Sequence, residues 1–116
     1  MVVDLKAEKT DEMFRALGDA TRRDIVVHTL QREYSVSDLA RLYPMSFAAV
    51  QKHVAVLERA RLVTKRRHGR EQLVRGNVVA IRQAFGLLEQ FEEVWRGRVD
   101  RIDQILTQEK EEGARK

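Results

Sequence analysis

Apolar residues recur along most of this chain at helical spacing, with one short stretch that alternates as a strand would. From about Lys9 to Leu17, Met13, Phe14 and Leu17 share one stripe and Gly18 follows as a stop, which predicts a short amphipathic helix. Asp19 is placed to cap a second helix with a buried face built on Ile25, Val26, Thr29 and Leu30. Ser35-Val36-Ser37-Asp38 reads as a variant capping box that opens a third helix through Val36, Leu39 and Leu42, and Tyr43-Pro44 ends it. Ser46 is placed to cap a fourth, in which Val50, Val54 and Leu57 face the preceding helices while Phe47, Ala48, Gln51 and Lys52 face away.

Two short helices joined by a tight break form the arrangement in which the second can be held out to enter a major groove. After Leu62, the run Val63-Thr64-Lys65-Arg66-Arg67 is β-branched and then basic. His68-Gly69-Arg70 supplies a turn and Gln72-Leu73-Val74-Arg75 a return strand, so a two-stranded hairpin with a basic tip is expected. From Val78 the apolar positions Val78, Ile81, Phe85, Leu88, Trp95, Val99, Ile102 and Leu106 repeat at three and four, with Glu92 filling one place in the seam. Such a seam outruns what a small unit can cover, so packing against a second copy and against the first helix is expected, with Phe14 contributing. The expected organisation is a single domain over 1–108, with a core at 19–76, dimer helices at about 9–17 and 78–108, and a polar tail at 109–116. The fold class is mainly α with a small β-hairpin.

The 116 residues are 43% hydrophobic and 34% charged, enough apolar content for a core and too patterned for a disordered polyampholyte. No uncharged apolar run exceeds four residues, so neither a membrane span nor a Sec-type signal is expected. The absence of cysteine removes disulfides, thiolate metal sites and cysteine nucleophiles together, and fits a cytoplasmic chain. The net charge of +4 is unevenly placed: Asp19 to Arg75 holds twelve basic against six acidic residues, while each flank is slightly acidic. That concentration favours an anionic partner at the helix-break-helix and hairpin. Arg22 and Arg23 stand in the first turn of a helix, where the macrodipole prefers anions. They read either as a solvated pair or as a site for an external phosphate.

The segments Phe14-Arg-Ala-Leu-Gly-Asp-Ala-Thr-Arg-Arg-Asp-Ile-Val26, Ser35-Val-Ser-Asp-Leu-Ala40 and Ser46-Phe-Ala-Ala-Val-Gln-Lys-His-Val-Ala-Val-Leu-Glu-Arg-Ala-Arg-Leu-Val63 together resemble the ArsR/SmtB family of winged helix-turn-helix repressors, over about Met13 to Leu106. The resemblance implies a homodimeric, cytoplasmic repressor of double-stranded DNA. By position it implies groove and phosphate contacts from Ser46, Phe47, Ala49, Gln51, Lys52 and His53, wing contacts from Arg66, Arg67, His68 and Arg70, and phosphate clamps at Thr21 and Arg22. The residue types agree with that role, since Gln51 can pair bidentately with adenine, Lys52 can reach guanine or phosphate, and Phe47 or Ala49 can meet a thymine methyl. The chain departs from the family pattern at Gln51, where Ser is usual, at Ala48, where Pro or another small residue is, and at Arg61, where Gly is.

Thiolate sensors of that family carry a Cys-Val-Cys-Asp-Leu motif where this chain has Ser35-Val36-Ser37-Asp38-Leu39. No histidine follows His68. A site on the last helix would rest on Glu92, Glu93, Asp100 and Asp103 alone, which read better as solvated helix charges, so no metal or cofactor is expected. His28, His53 and His68 are too scattered to converge. Phe85, Phe91 and Trp95 offer walls for an unidentified small-molecule effector, though aromatic residues at helical spacing more often form core. An enzyme built on Ser46 or Ser37 with His53 is disfavoured: Ser46 and His53 are seven residues apart, roughly 10 Å of helical rise, and no phosphate loop or metal dyad accompanies them. The remaining alternative is a winged-helix module that binds protein through the long helix, against which the clustered positive charge argues.

Overall fold

The computed structural model describes residues 5–114, in the order α1 (Leu5–Leu17), α2 (Ala20–Gln31), β1 (Tyr34–Ser35), α3 (Val36–Arg41), α4 (Phe47–Arg59), β2 (Val63–His68), β3 (Glu71–Gly76) and α5 (Val78–Ala114). The chain divides after Ala84 into two compact units. The expected polar tail is helical through Ala114, a run of Gln, Glu, Lys and Ala being good helix formers. Its last two residues, and the four before α1, lie outside the described ones.

The first unit is built by local signals. Asp19, Ser35 and Ser46 each turn a side-chain oxygen onto a backbone N–H three residues on, from Arg22, Asp38 and Ala49, and so satisfy one orphan donor at the head of α2, α3 and α4. The core joins Ile25 and Val26 of α2, Leu39 of α3, Val50, Val54 and Leu57 of α4, and Leu62, Val63 and Val74 around the hairpin, each nearly or completely buried. Thr29, buried among them, returns its hydroxyl proton to the Ile25 carbonyl at 2.8 Å and so keeps its own polar group satisfied. Leu30 and Leu42, expected on buried faces, are 40% and 46% exposed because α2 and α3 turn those positions past the edge of the core.

The sheet has three antiparallel strands, ordered β1-β3-β2, where the pattern announced only a hairpin. β1 is two residues long, pairing Tyr34 with Val74 and Ser35 with Leu73, too short to show an alternation, and Ser35 serves both as strand and as helix cap. β2 and β3 pair from Val63↔Gly76 to His68↔Glu71 and close through a two-residue turn. Gly69 there holds φ 63, the conformation that a type II′ turn asks of a glycine. Gly76 is required for space, since a Cβ there would lie 2.8 Å from the Leu30 side chain.

α4 ends in a Schellman turn: Arg61 N–H donates to Glu58 O and Leu62 N–H to Leu57 O, both at 2.9 Å, with Arg61 at φ 63. Asn77 fastens this end, donating from Nδ2 to Arg61 O at 2.9 Å while its Oδ1 accepts from Ala80 N–H at the start of α5.

The second unit, from Phe85 on, is helical and has no core of its own among the described residues. Phe85, Phe91, Val94 and Trp95 are each more than 60% exposed. No helix among the described residues is long and apolar enough to cross a membrane.

Candidate nucleic-acid interface

The geometry begins with α4. Its inner face, Val50, Val54 and Leu57, is sealed in the core, which fixes the rotation of the helix and so decides what it offers outward. The opposite stripe is Ala48, Gln51, Lys52, Ala55 and Arg59, small or polar residues one helical turn apart. Gln51, Lys52, Arg59 and Ala48 are exposed, and Phe47 is 46% exposed at the amino end beside the capping Ser46. Arg59 and Ala55 were missing from the sequence expectation, although the spacing of Arg59 seven residues after Lys52 already places it on that face. Ala49 is half-buried on the flank.

His53 departs from the outward set. It is half-buried, with Nδ1 3.4 Å from Nη1 of Arg22. Arg22 in turn donates from Nε to Ala16 O at 2.6 Å and from Nη2 to Arg15 O at 3.1 Å, and Arg23 donates to Leu17 O at 2.7 Å. Both arginines thus make bonds within their own protein. They cap the last carbonyls of α1, where the dipole and orphan acceptors favour cations, and Arg22 fastens α1 and α2 to α4. Thr21, half-buried in the same turn, stays beside Asp19. The Arg22 backbone N–H bonded to the Asp19 carboxylate holds that carboxyl below its ordinary range. The charges of His53 and Arg22 add to the effect, and desolvation opposes it.

The wing separates into tied and untied cations. Arg66 pairs with Glu33 at 3.0 Å and Lys65 with Glu58 at 3.2 Å, so those two brace the hairpin against the body. Arg67, His68 and Arg70 are exposed at the tip, and among the described residues only the Arg67 side chain of the three makes a hydrogen bond, a long one from Nε to Gly69 O. The break before α4 is also tethered. Tyr43 donates its hydroxyl to Asp24 at 2.6 Å, and His28 lies 3.2 Å from the same carboxylate oxygen. Burial pushes the Tyr43 phenol well above its usual value, and the bond to Asp24 pushes the same way.

Of the residues expected to face a second copy, Ile81 is half-buried against the core and Phe14 is half-buried, while Val78 is 46% exposed. Phe85, Leu88, Trp95, Ile102 and Leu106 are exposed by about half or more, and Val99 is half-buried. No group of three His, Cys, Asp or Glu among the described residues is placed to hold a metal ion.

Comparison with known proteins agrees with this geometry. Residues 19–65 match the family model described as bacterial regulatory protein, arsR family. The HTH-type transcriptional regulator Rv2034 of Mycobacterium tuberculosis is 44% identical over 59 residues, which cover 51% of this chain and 55% of that protein. The chain thus spans about half the length of the first curated relatives it matches. The solved structure of an ArsR-like transcriptional regulator from Rhodococcus sp. RHA1 superposes with a TM-score of 0.74 at 30% identity, covering 86% of this chain and 94% of that one. A solution structure of the homodimeric winged helix-turn-helix DNA-binding domain Mb0332 of Mycobacterium bovis shares the fold, with a TM-score of 0.63 at 23% identity over 80% of this chain and 89% of that one. With the recognition helix, the wing and these likenesses together, the chain belongs to the ArsR family of winged helix-turn-helix transcriptional regulators.

Proposed function

We propose that this regulator is a homodimeric repressor that binds a palindromic operator in double-stranded DNA and does not sense metals through thiolates. The observation that carries the reading is the division of α4 into a sealed apolar face and an outward stripe of Gln51, Lys52 and Arg59, with Phe47 and Ser46 at its leading end. In the major groove that stripe offers a bidentate amide for adenine and a cation for guanine or phosphate, while Phe47 or Ala49 meets a thymine methyl. The untied wing residues Arg67, His68 and Arg70 reach the neighbouring backbone or minor groove. Arg22, His53 and Arg66 hold the frame that presents these groups. Pairing through α5 is supported by its exposed Phe85, Leu88, Trp95 and Ile102, and by the homodimeric state named for the Mycobacterium bovis domain. Two serines at 35 and 37, one of them consumed as a helix cap, replace the sulfur ligands of a thiolate sensor.

Footprinting on the DNA upstream of the protein's own gene, at two salt concentrations and with and without zinc, tests this. A protected palindrome with half-sites about 10 bp apart is expected, insensitive to zinc and weakening steeply with salt. Lys52→Glu should lower affinity by tenfold or more and leave the mass of the particle unchanged. Absence of protection at low salt would instead make the chain a protein-binding winged-helix module.

A further inference from the structure

A groove of about 480 Å³ lies within the first unit, where α1, the carboxyl end of α4 and the first turn of α5 meet. Its volume falls in the range of small-molecule sites. Met13, Ala60, Val79 and Ala80 give it an apolar wall, and Lys9, Arg59 and Arg61 place three cations around it against one acid, Glu12. Among the described residues no ion pair engages any of the three cations, whereas Lys65 and Arg66 are each paired with a glutamate.

Arg61 sharpens the point. It occupies the left-handed position of the turn that ends α4, at φ 63, where an L residue is disfavoured by about 1–2 kcal/mol and glycine is not. Its carbonyl is bound by Asn77 Nδ2, so the backbone is held in that state, and the side chain is what an arginine adds over a glycine there. Strained residues concentrate at ligand sites for this reason.

We propose that this groove is a binding site for a small organic carboxylate with a compact apolar body. Arg61 and Lys9 hold the carboxylate, Arg59 adds to the field, and Met13, Val79 and Ala80 receive the apolar part. A cationic or neutral ligand finds too little complementary charge here, and a bare inorganic anion leaves the apolar wall wet. Because one wall is the end of the recognition helix, the occupant is placed to act as an effector, but the binding proposal stands apart from the DNA reading and is tested without DNA.

The test is calorimetry and thermal melting of the full chain with benzoate and isovalerate as probes, and with benzyl alcohol and inorganic phosphate as controls. Saturable millimolar binding of at least one acid is expected, raising the melting temperature, with no comparable effect from benzyl alcohol. Arg61→Gln, which keeps the backbone problem and removes the charge, and Lys9→Gln should each weaken the acid about tenfold. Val79→Glu should abolish its binding without a change in fold by circular dichroism. The proposal is overturned if neither acid saturates, if inorganic phosphate binds as well as they do, or if the three variants bind the acid like the parent.

Discussion

α4 and the part of α5 beyond Phe85 are both amphipathic helices, and they treat their apolar faces in opposite ways. In α4 the apolar side chains are covered by their own unit, with Val50 and Leu57 fully buried, and the polar face is left to do something else. Beyond Phe85 the apolar side chains are themselves the exposed surface, Phe91 at 61%, Val94 at 71% and Trp95 at 62%. A face already covered fixes a helix in place. A face still open is what the proposed pairing would cover, because exposed apolar patches are typical of interfaces. The chain thus presents two kinds of surface, a polar one positioned by its own core and an apolar one that its own unit leaves uncovered.

The largest effect expected from breaking this contrast is on assembly. Trp95→Glu together with Leu88→Glu places four charges in the seam of a dimer. Sedimentation should then show the mass fall from two chains to one, since buried unpaired charges are costly. A dimeric mass unchanged by this double substitution would remove α5 from the interface. Next in size, Leu57→Ala should cost about 2–5 kcal/mol of stability, whereas Gln51→Ala on the far side of the same helix should stay within about 0.5 kcal/mol. Equal losses in denaturant titrations would mean that α4 is not divided as described.

A smaller change of opposite sign is expected at the end of α4. Arg61→Gly should raise stability by about 1 kcal/mol by removing the left-handed penalty, and at the same time weaken carboxylate binding in the groove by about tenfold or more. Least of all, Asp19 should make stability depend on acid. Its folded carboxyl is held below the ordinary value near about 3.9, so its contribution is complete above that value and is lost as pH falls through the lower folded one. Thermal melts of Asp19→Asn and the parent should therefore differ near neutrality and converge in acid.

Much of this molecule is readable along the chain because its signals are local. The caps at Asp19, Ser35 and Ser46, the three-and-four spacing of Val50, Val54 and Leu57, the glycine at 69 and the helical period after Val78 each act within a few residues, and the structure places each as its neighbours dictate. The outward stripe of α4 follows from the same spacing, so Gln51 and Lys52 were legible, and Arg59 was equally so.

What escaped was set by partners distant in sequence. Arg22 sits in the first turn of α2, which its charge opposes, and only the approach of the α1 carboxyl end explains why it is tolerated there. Arg66 and His53 look like their exposed neighbours in the sequence, yet Glu33 pairs with one and Arg22 meets the other, which half-buries His53 and ties Arg66 while leaving it exposed. β1 exists because two residues fall beside β3, which no pattern of two residues can announce. The groove at Lys9, Arg59 and Arg61 likewise comes from three separate elements. The sequence by itself determined the helices, the hairpin, the caps and the buried face of α4, because those depend on backbone period and nearest neighbours. The tertiary structure alone decided which of twelve basic residues in the middle of the chain are spent on carbonyls and carboxylates of their own protein and which remain for a ligand, because ion pairing depends on distances that only folding sets.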